Sequence, residues 1–211
     1  MVIQKKNKKI KITFLYDKKN DWMINDLRKM KIPKKYIVKF NSNYKKIKNQ
    51  NIVFFINLLK ILPLKFLKQN SLNLVVHSSK LPKDKGFSPL FNQILRGKKT
   101  FYISLIEAVE KVDSGDIMLQ NKFKISNSLL NNEIKNEEKK QFLRIIKKFL
   151  SIYSNFKRKK QIGLGSFNKK RNFFSNKINI NKTLKSQFNL LRISHNEKYP
   201  AFFEHNKRLY K

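Results

Sequence analysis

Two titratable side chains, His77 and Asp113, stand where acid–base chemistry is possible. Each follows an apolar run of the strand type, and each is next to small residues, Ser78 in one case and Ser114 in the other. Because the carboxyl ends of parallel strands meet at one edge of a sheet, we expect both side chains in one cleft. A carboxylate beside an imidazole raises its pKa and fixes its tautomer, which suits proton transfer at neutral pH. The residues alone leave the simpler interpretation open, in which His77 is a hydrogen-bonded core residue and Asp113 belongs to a turn.

Strands that alternate with helices must position this pair, and the periodicity of the chain predicts them. Apolar residues at period two or in continuous runs predict strands, and helical spacing predicts the segments between them. The run at 72–76 and the run at Ile52–Ile56 flank one helical segment, which predicts two adjacent parallel strands. The whole pattern predicts an α/β protein with an open, mostly parallel sheet flanked by helices. The predicted strands cover 9–16, 36–40, 52–56, 72–76, 100–105 and 117–125, and the long helical segments cover 129–156 and 182–194.

Composition excludes several classes of site. The 211 residues contain no cysteine, so disulfides and thiolate metal sites are impossible, and the three histidines lack the spacing of a metal site. We therefore expect no metal. No run approaches the about 18 apolar residues of a membrane span, and no signal peptide is recognisable, so we expect a cytoplasmic protein without a membrane partner.

The formal net charge of +36 is extreme, and it has two explanations. A basic surface indicates a polyanion such as RNA. Lysine and asparagine are abundant while arginine is scarce, which fits a coding bias instead, since nucleic-acid readers favour arginine. Composition does not decide between a functional surface and a biased genome.

Two segments resemble one family. VVHSSKLPKDKGFSP resembles the His-x-Ser-x-Leu-Pro-x-x-x-Gly signature of the folate-dependent formyltransferases, and EKVDSGDIMLQ resembles their Val/Leu-Asp-x-Gly-x-Ile segment, in the expected order and at the expected distance. The resemblance covers 52–123 well and 9–40 more weakly. It implies a core like that of glycinamide ribonucleotide transformylase, which we place at 1–156. The basic, glycine-bearing run after 156 and the pattern beyond it predict a short C-terminal extension over 157–211 made of a loop, a helix and a hairpin. The resemblance also implies an enzyme that moves a formyl group from 10-formyltetrahydrofolate to a primary amine.

The resemblance places the family's catalytic histidine on His77 and its aspartate on Asp113. The family's asparagine, which stabilises the oxyanion, falls on Val75. Asn73 lies two residues earlier and shares the face of Val75 by strand parity, so it is kept as a third catalytic candidate. The candidates for binding the folate donor are Lys60, Ile61, Leu62, Glu110, Lys111 and Val112.

The acceptor is predicted from the end of the chain. The stretch 182–203 resembles the short tail of formyltransferases that act on nucleotide-linked amino sugars, and 157–211 is too short for the C-terminal barrel domain of methionyl-tRNA formyltransferases. We therefore expect an amino-sugar acceptor, with methionyl-tRNA as the alternative. A second alternative is a non-catalytic protein that binds RNA or another polyanion on a decayed formyltransferase scaffold. The oligomeric state is left open, a homodimer included. The candidates for acceptor binding are Ser79, Lys85, Arg192, Tyr199 and Phe202.

Overall fold

The structure, a computed structural model, describes residues 9–211. Strands and helices alternate through the first two thirds of the chain, and shorter elements follow. The strands are β1 (Ile10–Tyr16), β2 (Tyr36–Asn41), β3 (Ile52–Ile56), β4 (Asn73–His77), β5 (Lys85–Gly86), β6 (Thr100–Glu107), β7 (Ile117–Lys124), β8 (Phe167–Asn168), β9 (Phe203–His205) and β10 (Arg208–Tyr210). The α-helices are α1 (Ile24–Lys29), α2 (Leu64–Lys68), α3 (Pro89–Leu95), α4 (Asn131–Ile152) and α5 (Leu184–Ile193).

A six-stranded sheet in the order β2-β1-β3-β4-β6-β7 forms the centre of the fold. β1 pairs in parallel with both β2 and β3, and β3 pairs in parallel with β4, with Val53 opposite Asn73. The predicted adjacent parallel strands are therefore confirmed, as is the mostly parallel α/β sheet.

β6 runs in the opposite direction to β4. The amide of Ala108, just beyond β6, donates to the carbonyl of Asn73 at 2.8 Å, and the hydroxyl of Ser104 donates to the carbonyl of Ser79 at 2.6 Å. Advancing along β6 therefore means going backwards along β4, which is the pattern of an antiparallel pair. The end of β6 lies beside the beginning of β4.

The chain divides into two compact units, of which the first comprises 9–77, 105–119 and 143–161. Its core covers both faces of β3. On one face the ring of Phe54 packs between Phe14, with ring centroids 5.2 Å apart, and Phe149 of α4, at 6.2 Å. On the other face Phe55 belongs to an apolar cluster with Phe66 of α2. A strand covered on both sides must be apolar at every position, which explains the sequence IVFFI.

The second unit comprises 78–104, 120–142 and 162–211. In it β5 pairs in parallel with β8, and β9 and β10 form a terminal hairpin. Gly86 makes the β5–β8 approach possible: its φ is +85°, and a Cβ there would lie 2.6 Å from the carbonyl oxygen of Asn168. Within residues 9–211 no helix combines the length and the apolar character needed to cross a membrane.

Candidate active site

The first unit brings His77 and Asp113 together. His77 is the last residue of β4, and its Nδ1 lies 3.5 Å from Oδ1 of Asp113 in the loop after β6. The two side chains are only 7% and 10% exposed, so water screens their interaction weakly. This contact of Nδ1 with the carboxylate fixes the orientation of the His77 ring.

The loop reaches His77 by a route that the sequence did not indicate. Both side chains were expected at the carboxyl ends of parallel strands, and this was wrong for Asp113 because β6 is antiparallel to β4. The end of β6 lies beside Asn73, which is about 13 Å along the strand from His77. The loop 108–116 returns along β4 and brings Asp113 to His77. Its two ends are joined where the amide of Glu107 donates to the carbonyl of Asp116 at 2.9 Å.

The turn that carries Asp113 is held by close packing. Asp113 has a left-handed backbone with φ of +51°, which costs a non-glycine residue about 1 kcal/mol or more. Gly115 lies so close to the preceding strand that a Cβ would be 1.9 Å from the carbonyl oxygen of Glu107. Any side chain at position 115 would therefore push the turn away from β6 and displace Asp113.

A second support comes from the segment after α4. The side-chain amide of Gln161 donates from Nε2 to the carbonyls of Asp113, at 3.0 Å, and of Gly115, at 2.8 Å. Sequence reasoning missed Gln161, because it ends a basic run, KRKKQ, that reads as a solvated linker.

The side chains that precede His77 on the same face of β4 offer no amide to the site. Asn73 is buried, and its Nδ2 donates to the carbonyl of Leu67 at 2.8 Å. This bond and the distance of about 13 Å keep Asn73 away from His77, so Asn73 is not a catalytic candidate in the folded chain. Val75, where the family has asparagine, is half-buried and packs against the apolar cluster of Phe55.

Two loops of the first unit provide an apolar rim. Leu59 and Ile61 after β3 are each 68% exposed, and Val109 and Val112 after β6 are 41% and 40% exposed. Residues of both loops, Leu58 and Ala108 among them, pack against the same apolar cluster. Both loops therefore present exposed apolar side chains while anchoring in one cluster.

The six donor-binding candidates are not equivalent in the structure. Ile61 and Val112 belong to this rim, whereas Leu62 is 9% exposed and supports the loop from within the core. The ammonium of Lys60 lies 5.2 Å from the centre of the Tyr44 ring. Glu110 and Lys111 are exposed.

Two of the five candidates for acceptor binding form hydrogen bonds within the second unit. Ser79 is fully buried and its hydroxyl donates to the carbonyl of Lys83 at 2.7 Å. Arg192 is 3% exposed, and its guanidinium donates to the carbonyls of Ser126 and Asn127 at 2.8 Å. Through these contacts Ser79 and Arg192 stabilise the fold of the second unit.

The remaining three differ in exposure. Phe202 is 1% exposed and stacks on Phe173 with centroids 4.1 Å apart, so it has almost no surface to offer a ligand. Tyr199 is 65% exposed. Lys85 is half-buried in β5, where its amide donates to the carbonyl of Ser166 at 2.8 Å.

The second unit also contains a half-buried acid that sequence reasoning missed. The hydroxyl of Ser78 donates to the carboxylate of Glu138 on α4. Desolvation by burial raises the pKa of Glu138, and the Ser78 hydrogen bond and the charge of Lys135 act in the opposite direction. Glu138 stands among lysines and glutamates in the sequence, which gives no signal of its desolvation.

The open α/β sheet thus carries a buried imidazole–carboxylate pair, which is suited to moving protons. The family model described as formyl transferase matches residues 2–146. The chain belongs to this family, as the two motifs predicted.

Individual relatives give a finer comparison. The chain is 42% identical over 67 residues to a methionyl-tRNA formyltransferase from Lactobacillus acidophilus, a match that spans 31% of this chain and only 21% of that protein. The fold is similar to that of a methionyl-tRNA formyltransferase from Clostridium thermocellum, with a TM-score of 0.77, 24% identity, and coverage of 95% of this chain and 90% of the other. It is also similar to an N-formyltransferase from Helicobacter canadensis in complex with folinic acid and dTDP-3-aminofucose, with a TM-score of 0.71, 20% identity, and coverage of 94% and 85%.

Proposed function

We propose that this chain transfers a formyl group from 10-formyltetrahydrofolate to a primary amine, with His77 and Asp113 as its acid–base pair. The observation that carries the proposal is the 3.5 Å approach of His77 Nδ1 to Asp113 Oδ1 across 36 positions of sequence, between the two motifs that resemble the family. A positioned acid–base pair accelerates proton transfer by about 10²–10⁴-fold. The apolar rim of Leu59, Ile61, Val109 and Val112 is the proposed contact surface of the folate.

The donor supplies a formyl carbon bonded to a folate nitrogen. When the acceptor amine bonds to that carbon, the carbon–folate bond breaks, and the proton that the amine loses balances the negative charge of the departing nitrogen. His77 takes this proton at the ring nitrogen that faces away from Asp113 and returns it to the folate nitrogen. Asp113 keeps the ring oriented and stabilises it while it is charged. The charged ring also stabilises the oxygen on which negative charge develops.

For the acceptor we favour methionyl-tRNA. The amino-sugar prediction depended on the resemblance of 182–203 and on the length of 157–211, and length does not discriminate, because the matched methionyl-tRNA formyltransferase structure is covered to 90%. Relatives that are 38–42% identical over part of the chain are named methionyl-tRNA formyltransferases. The charge of +36 favours a polyanionic acceptor over a small one.

A nucleotide-linked amino sugar is the second candidate. The similarity to the Helicobacter canadensis enzyme, which was solved with dTDP-3-aminofucose, supports it, and Tyr199 offers an exposed ring for stacking a base. The amino sugar is also the acceptor that the residues 182–203 predicted.

The deciding experiment is mass spectrometry of acceptors incubated with the protein and 10-formyltetrahydrofolate. Methionyl-tRNA and dTDP-3-aminofucose are offered separately, and a gain of one formyl group on the amine identifies the acceptor. Asp113→Asn is the matched control, since it keeps the shape of the side chain and removes its charge. Formylation of neither acceptor, together with RNA binding that weakens steeply with salt, would support the non-catalytic polyanion-binding alternative.

A further inference from the structure

The segment Arg158–Gln161, here called the clasp, is joined to the loop that carries Asp113. Lys159 and Ile117 form an antiparallel bridge, with N–H to carbonyl distances of 2.8 and 2.9 Å in the two directions. On either side of this bridge the guanidinium of Arg158 donates to the carboxylate of Glu107, and Nζ of Lys160 lies 3.4 Å from the carboxylate of Asp116. The clasp therefore follows the base of the loop from one end to the other.

Gln161 ends the clasp at the turn itself. Both of its Nε2 hydrogen bonds go to carbonyls of the turn, those of Asp113 and Gly115, on either side of Ser114. Its Oε1 is buried and has no hydrogen-bond partner among the described residues. A buried acceptor without a partner lowers the free energy of unfolding. The two hydrogen bonds from Nε2 must therefore stabilise the folded chain by more than the buried Oε1 destabilises it.

The turn needs such support. Asp113 has a left-handed φ of +51°, and a residue held in that region tends to relax unless its surroundings prevent it. Misplacement of a catalytic group by about 1 Å costs about a hundredfold in rate. The carbonyls that Gln161 binds belong to Asp113 itself and to the glycine two positions on, so the amide fixes the direction in which the Asp113 side chain leaves the backbone.

We propose that Gln161 is a positioning residue, which holds the Asp113 carboxylate against His77 without touching the substrates. The inference depends on the proposed function for its kinetic test, and it also has a test that is independent of activity. Gln161→Met keeps the length of the side chain and removes both donors. Lys160→Met is the control from the same clasp, because that lysine is 84% exposed and a surface ion pair contributes little.

The kinetic test is a double-mutant cycle on formyl transfer. Gln161→Met should lower kcat about tenfold to a hundredfold with little change in KM for the donor, and Lys160→Met should leave both nearly unchanged. In an Asp113→Asn background Gln161→Met should cost almost nothing more, because the amide acts through the missing carboxylate. A full additional loss in that background would show a merely structural role, and wild-type kcat in Gln161→Met would overturn the inference.

The second test uses the ring ¹⁵N chemical shifts of His77, which are separable because the chain has only three histidines. Gln161→Met should move the His77 signals towards those of Asp113→Asn, while His195 and His205 stay unchanged. Unchanged His77 signals would refute the inference. If the wild type formylates no acceptor, the proposed function fails, and these shifts still decide the role of Gln161.

Discussion

Replacing Val75 by asparagine tests whether the β4 face next to His77 limits the reaction. Val75 and His77 are two residues apart on one strand, so their side chains leave the same face about 7 Å apart. An asparagine at position 75 would add an N–H donor beside the imidazole. We expect Val75→Asn to increase the rate of formyl transfer.

The size of the gain follows from the usual value of an oxyanion donor. Removing one such donor from an enzyme costs about 10²–10³-fold in kcat. The surroundings of Val75 are apolar and would hold the new amide imperfectly, so we expect part of this factor, about tenfold to a hundredfold.

The same change should destabilise the protein. Val75 is half-buried against the cluster of Phe55, and placing an incompletely hydrogen-bonded amide there costs about 1–2 kcal/mol. For a chain of this length that corresponds to a decrease in Tm of about 2–8 °C. A faster but less stable enzyme is the expected combination.

The assay is single-turnover formylation of the identified acceptor at saturating donor, followed by mass spectrometry, with Tm measured on the same samples. Val75→Asp is the matched control, because it has the shape of asparagine but no N–H donor. It should lose stability without gaining rate. If folded Val75→Asn is no faster than the wild type, the reasoning about the missing donor is refuted.

Four further predictions concern the pair, the turn, the half-buried acid and the basic surface. His77→Ala and Asp113→Asn should each abolish most turnover while Tm changes little, and the double variant should lose little more; comparable turnover in Asp113→Asn would contradict the assignment. Gly115→Ala should lower kcat at least as much as Gln161→Met, because its Cβ would collide with the carbonyl of Glu107; a wild-type kcat would show that the turn adapts. Burial raises the pKa of Glu138, so its contribution to stability is complete below the pKa of the unfolded chain and is lost as pH rises through the folded pKa. Glu138→Gln should therefore flatten the decrease of Tm with rising pH, whereas Glu137→Gln, which removes a carboxylate that is 30% exposed from the same helix, should not. Binding of tRNA should weaken steeply with salt if it is non-specific, and affinity that persists in high salt for one tRNA would instead show specific recognition.

The sequence predicted those parts of the fold that local pattern encodes. IVFFI is apolar at each position, which identified β3 as a strand covered on both faces, and the alternation of strands and helices identified the parallel sheet. Strand direction is not encoded in this pattern, because an antiparallel β6 has the same apolar residues as a parallel one. The pairing of His77 with Asp113 was nevertheless anticipated, since the loop after β6 is long enough to bring the carboxylate back.

The supports of the site were beyond prediction for a different reason. Gln161 is 48 positions from Asp113 in sequence. Its role depends on the packing of the segment after α4 against the Asp113 turn, and the composition of that segment does not indicate such packing. Asn73 was placed on the correct face by strand parity, but parity cannot reveal that its amide is bound to Leu67. Phe202 and Arg192 resembled residues for a substrate, and only their burial shows that they pack.

The close backbone approach at Gly115 limits which amino-acid substitutions this chain tolerates. Glycine is rare in this chain, with five among 211 residues, whereas lysine and asparagine are abundant. At Gly86 and Gly115 a Cβ would lie 2.6 and 1.9 Å from a backbone oxygen. Replacement of either glycine by another residue is therefore opposed by a steric clash with the backbone. In a chain with so biased a composition the rarest residue types are therefore the most informative ones, and a library randomised at position 115 should return glycine almost exclusively among active clones.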